Sequence, residues 1–94
     1  MTRASAMQDF LARAGFAEAE LSPLAGDASF RRYIRIRKEH RCAMLMDAPP
    51  DREDVRPFSD VARYLHGAGY SAPAILEADE AAGFLLLEDL GDDS

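Results

Sequence analysis

Residues 24–33, LAGDASFRRY, bring together residue types that can hold an oxyanion. Gly26, Asp27, Ala28 and Ser29 form a turn of small residues between two extended segments, and such a turn can aim backbone N–H groups at an anion. Ser29 adds a hydroxyl. Arg31 and Arg32 add guanidinium forks, which suit phosphate. The same residues also read as an ordinary hairpin turn, in which one glycine is common, and both readings stay open on these residues alone. Other chemistry is poorly supplied. His40 and His66 are far apart and Cys42 has no paired cysteine, so no metal set is spelled out. Cys42 lies within an apolar strand and reads as a small buried hydrophobe. No serine sits in a G-x-S-x-G elbow. Asp47, Asp51, Glu53 and Asp54 stand beside prolines at a helix approach and read as caps and solvated charge.

The elements that must position this turn follow from periodicity. Ser5 and Gln8 have capping-box spacing. Met7, Phe10, Leu11 and Ala14 recur at helical spacing, with Gly15 as a stop, so a short amphipathic helix is expected over roughly residues 6–14. Residues 19–25 are weakly strand-like, and Pro23 demotes them to an edge. Residues 30–37 alternate, with Phe30, Arg32, Ile34 and Ile36 on one face and Arg31, Tyr33, Arg35 and Arg37 on the other. KEHR turns the chain into a second, more apolar strand over residues 41–46, completing an antiparallel hairpin. Pro57 suits a first helical turn, and Phe58, Val61, Ala62 and Leu65 form the stripe of a main helix ending near Gly67 and Gly69. Residues 74–78 and 84–87 read as two more strands. This order implies an α+β fold: one antiparallel sheet of about five strands, one main helix packed on it and a short N-terminal helix.

The totals bound the partners. The chain has 94 residues, which makes one small domain with a thin core. A net charge of −6 argues against nucleic acid as a partner. The charge is uneven: residues 31–41 carry six of the eleven Lys and Arg, while residues 77–94 carry seven acids and no base. No apolar run reaches the roughly 18 residues of a membrane span, and the N-terminus does not read as a signal peptide. With a single cysteine, a cytoplasmic setting is expected.

GDASFRRYIRI, LMDAPPDREDVRPFSDVARYL and GFLLLEDLGD resemble the N-terminal lobe of the aminoglycoside phosphotransferase and choline kinase-like family. Within it the chain is most similar to bacterial sugar kinases acting on the anomeric hydroxyl of N-acetylmuramate and N-acetylglucosamine in cell-wall recycling. The resemblance implies a protein-kinase-like small lobe, residues 1–94, above a larger C-terminal lobe that this sequence does not contain. ATP would bind between the lobes. Gly26, Asp27, Ala28 and Ser29 would cover its phosphates, with Arg32 at the start of the following strand. The backbone at Glu88, Asp89 and Leu90 would read the adenine edge. Glu53 stands where a helix acid would pair with a strand lysine.

That lysine is missing. Met46, or Leu45 one register away, stands at its place, and the only lysine, Lys38, lies in the hairpin turn. Arg32 or Arg35 could supply the cation, or Mg²⁺ could carry more of the charge. The catalytic base and the Mg²⁺ ligands are expected in the C-terminal lobe, so residues 1–94 alone are expected to be inactive. Two other readings stand beside the sugar kinase: a non-catalytic protein-interaction module on the same scaffold, and an aminoglycoside phosphotransferase.

Overall fold

The computed structural model describes residues 2–24, 31–51, 56–69 and 74–89. In order they form α1 (Arg3–Arg13), β1 (Glu20–Pro23), β2 (Arg32–Lys38), β3 (Arg41–Asp47), α2 (Arg56–Gly67), β4 (Ile75–Asp79) and β5 (Phe84–Glu88). The strands make one antiparallel sheet in the order β1-β2-β3-β5-β4. This is the α+β layout expected from periodicity, with Pro23 on the edge strand β1.

α1 starts ahead of the expected residue 6. The cap is Thr2: its Oγ1 accepts from the Ser5 N–H at 3.1 Å, and its own N–H donates to Ser5 Oγ at 3.2 Å. Ser5 is therefore the third residue of the helix and the reciprocal half of the capping box. Met7, Phe10 and Leu11 point inward, as their spacing predicts, and Gly15 leaves the helix at φ 90°.

β3 and β5 are covered on both faces, which explains the unbroken apolar run from Phe84 to Leu87. On one face Phe84 and Leu86 join Ile34, Ile36, Ala43 and Leu45 beneath α1. The Phe10 and Phe84 rings stack there with centroids 5.5 Å apart. On the other face Leu85 and Leu87 join Met46 and Ala48, with Tyr33, Met44, Phe58 and Ile75 packed against them. α2 brings Phe58 to this second face.

Cys42 and the inward stripe of α2 differ from expectation. Cys42 is exposed rather than buried. It lies on the same face of β3 as Met44 and Met46 but toward the Glu39–His40 hairpin, outside the apolar cluster built around Met46. In α2 the inward stripe is displaced: Val61 is 57% exposed, whereas Ser59 is fully buried beside Ala62. Ser59 Oγ donates to the Glu80 carboxylate and lies 3.1 Å from the Arg56 carbonyl. Glu80 also faces Arg63 at 3.5 Å, so a polar link ties α2 to the β4–β5 turn.

That turn closes on Gly83, with φ 79°. The Ala48 N–H donates to the Gly83 carbonyl at 2.8 Å, and a Cβ on Gly83 would stand 1.9 Å from the Ala48 carbonyl oxygen. Only glycine lets the two backbones approach this closely. Gly83→Ala should therefore destabilise the fold by about 2–3 kcal/mol in urea denaturation. Gly67→Ala, where a Cβ meets nothing within 4 Å, should be neutral or stabilising by up to about 1 kcal/mol.

Candidate functional site

Among the described residues, polar clusters lie on both faces of the sheet. On the α1 side, at the end of β3, the Asp47 carboxylate is fully buried. Arg3, in the first turn of α1, reaches Oδ1 through Nε at 2.8 Å and Nη2 at 2.6 Å. Arg32, at the start of β2, reaches Oδ2 through Nη2 at 2.6 Å and Nε at 3.2 Å. Arg3 also donates to the Ala82 carbonyl at 2.7 Å and lies 4.2 Å over the Phe84 ring. The expectation that Asp47 is solvated charge is corrected here. A strand still paired through Asp47↔Arg32 and Asp47↔Phe84 carries the side chain into the core, where two charge-assisted partners replace water. A cleft of about 450 Å³ adjoins the cluster, lined also by Met7, Leu21, Pro23, Ile34 and Pro49.

On the α2 side the strands present Tyr33, Met44, Met46, Leu85 and Leu87. The register settles which β3 residue faces α2: Met46 does, and Leu45 lies in the α1 core. Arg31 places its guanidinium 5.1 Å over the Phe58 ring. Arg35 reaches Asp89 at the exit of β5, with Nε 2.9 Å from Oδ2 and Nη2 3.5 Å from Oδ1. The Arg35 and Asp89 side chains are 22% and 8% exposed.

The sequence candidates are thus divided. Arg32 sits on the α1 side, engaged with Asp47. Met46, Arg31 and Arg35 sit on the α2 side. Glu88 and Asp89 lie at the end of β5, where the Glu88 N–H donates to the Ala74 carbonyl at 2.8 Å and its Oε1 accepts from the Ala74 N–H at 3.3 Å. Lys38 pairs with Arg41 at the hairpin end, remote from Met46. Gly26, Asp27, Ala28, Ser29, Glu53 and Leu90 lie outside the described residues. Among the described residues no group of three His, Cys, Asp or Glu could hold a metal ion, and no helix is long and apolar enough to cross a membrane.

Sequence reasoning passed over Arg3. A signal was there: a cation in a helix's first turn opposes the helix dipole, so its presence asks for a specific partner. Arg3 is 31% exposed and Arg32 65%, so their contributions should differ. Arg3→Ala, which also leaves the Ala82 carbonyl without its guanidinium partner, should cost about 3 kcal/mol in denaturant unfolding. Arg32→Ala should cost less, about 1–2 kcal/mol, because the more exposed arginine makes the weaker contact and Asp47 keeps Arg3 on Oδ1.

Residues 20–93 match the phosphotransferase enzyme family. Over 73 residues, 78% of this chain, the sequence is 56% identical to an N-acetylmuramate/N-acetylglucosamine kinase of Pseudomonas aeruginosa, covering 22% of that protein. A protein of the same name from Caulobacter vibrioides is 35% identical over 97% of this chain and 32% of its own length. Another, from Pseudomonas putida, is 44% identical over 76% of this chain and 21% of its own length. The chain therefore spans between about a fifth and a third of the length of these relatives. With the match extending from β1 past the end of β5, on the antiparallel sheet and two helices described above, the chain belongs to the phosphotransferase enzyme family.

Proposed function

We propose that these residues are the nucleotide-binding lobe of a cytoplasmic sugar kinase, which transfers the γ-phosphoryl group of ATP to the anomeric hydroxyl of N-acetylmuramate or N-acetylglucosamine. The observation that carries the reading is the 56% identity to a kinase named for those two sugars. The architecture is compatible with it: the apolar strip of Tyr33, Met44, Met46 and Leu87 is a surface on which a purine could lie. Gly26–Ser29 would cover the phosphates. With the Glu88 N–H engaged by Ala74, the backbone at Asp89 and Leu90 would read the adenine edge. Arg32, held on the opposite face by Asp47, would act through the start of β2, fixing the strand that follows the phosphate loop. Glu53 remains the candidate helix acid.

Phosphoryl transfer needs a base for the acceptor hydroxyl and a magnesium ion to neutralise the phosphates. The described residues do not fit as a Mg²⁺ site. We assign both groups, and the sugar pocket, to a C-terminal lobe. The work of this lobe is to bind and orient the nucleotide, a contribution made by positioning.

The test is to incubate the complete native protein with Mg-ATP and each sugar and to follow ADP release. N-acetylglucosamine and N-acetylmuramate should be phosphorylated, whereas the methyl glycoside, whose anomeric oxygen is blocked, should be inert. ADP release with aminoglycosides alone would move the reading to an aminoglycoside phosphotransferase, and nucleotide binding with no transfer to any acceptor would favour an interaction module. In the same protein Arg32→Ala should raise the KM for ATP; unchanged kinetics would remove Arg32 from the site.

A further inference from the structure

The Arg35–Asp89 ion pair links strands that are not neighbours. Arg35 on β2 is opposite Met44 on β3, and Met44 is opposite Leu87 on β5. Asp89 lies two residues beyond Leu87, so it continues the same face after the last residue of the strand. The guanidinium therefore crosses β3 on its Cys42–Met44 face to grip the residue at which β5 leaves the sheet. It does so through two nitrogens and both carboxylate oxygens, a fork-to-fork contact that fixes orientation as well as distance. Both side chains are largely buried, so the contact is screened less than a surface pair. One residue upstream, the Glu88 N–H and side chain are bound to Ala74. The exit of β5 is thus held from the β4 side at Glu88 and from the β2 side at Asp89.

We infer that Arg35 is a positioning residue for nucleotide recognition: it clamps Asp89 so that the Asp89 backbone presents its hydrogen-bonding groups in a fixed direction. This rests on the proposed nucleotide site. It gives Arg35 a role other than neutralising phosphate, because its fork is committed to a carboxylate. It also accounts for an acid at position 89: the side chain faces inward to Arg35, which leaves the main chain as the part turned toward a base. The recognised ligand class is a purine nucleotide read along its base edge, and the clamp should matter for the base rather than for the acceptor sugar.

The test uses the complete native protein and measures KM for ATP, KM for sugar, kcat and Tm for Arg35→Ala, Asp89→Asn, the double variant and Arg35→Lys. Each single loss should raise the KM for ATP on the order of tenfold, with kcat and the KM for sugar within about twofold. The double variant should be no worse than the worse single one, because both remove one interaction. Arg35→Lys should recover only part of the loss, since a lysine keeps the charge but not the fork. A lowered Tm with the KM for ATP unchanged well below that Tm would overturn the inference and leave a purely structural ion pair. Additive effects of the two single changes on the KM for ATP would also overturn it. If the unaltered protein binds no ATP, the proposed function fails first and this inference with it. ATP binding that is indifferent to Arg35 sinks the inference alone.

Discussion

The burial of the Asp47 carboxylate is the constraint on which the rest of the structure leans. A charge taken out of water costs several kcal/mol unless partners replace the solvent, and here two arginines do so from separate elements. Arg3 can reach only if α1 lies with its first turn over the end of β3. Arg32 can reach only if β2 and β3 pair in the register that sets residue 32 opposite 47. Through its second bonds Arg3 also holds the Ala82 carbonyl, and the neighbouring Gly83 accepts from Ala48. One carboxylate thus fixes the seat of α1, the register of the central hairpin and the closure of the β4–β5 turn.

Those three placements decide the faces of the sheet. With residue 47 turned toward α1, period-two alternation puts Leu45 on the same side and sends Met44 and Met46 toward α2. A slip of one residue would exchange the two sets and carry Asp47 to the Phe58 side, away from Arg3 and Arg32. The apolar strip on the α2 side is therefore a consequence of the polar cluster on the other side. The tether from Ser59 to Glu80 then sets α2 over that strip from its far end.

Much of the fold was legible in the sequence because it rests on local periodicity. The alternation in residues 32–38, the apolar run of 84–87 and the helical spacing of Met7, Phe10 and Leu11 each report their burial directly. The failures are equally physical. Thr2 capping α1 was hidden behind a second plausible cap at Ser5. Asp47 stands before Ala-Pro-Pro, a context that reads as loop, yet its burial is decided by Arg3, 44 residues away. The Arg35–Asp89 pair spans 54 residues, and no local pattern encodes it. Cys42 looked buried because its strand is apolar; the position of a residue along a strand relative to the cover above it is tertiary information. The candidate site rested on a resemblance, which does not encode the face each arginine occupies.

That division of arginines bears on the missing lysine. A cation on β3 at residue 46 would sit in the cluster of Leu85, Leu87 and Phe58, and burying it there without a paired acid would be costly. Methionine instead fills the gap as a soft apolar side chain. Arg32 faces the other side of the sheet, where it is engaged with Asp47. Arg35 is poorly suited to supply the cation, since drawing its fork away would leave the nearly buried Asp89 carboxylate without that partner. Arg31 differs from both. Its guanidinium stands over the Phe58 ring on the Met46 side of the sheet. Within the proposed nucleotide site, Arg32 would anchor the start of β2 and Arg35 would hold Asp89 at the exit of β5, so neither would stand in for a strand lysine.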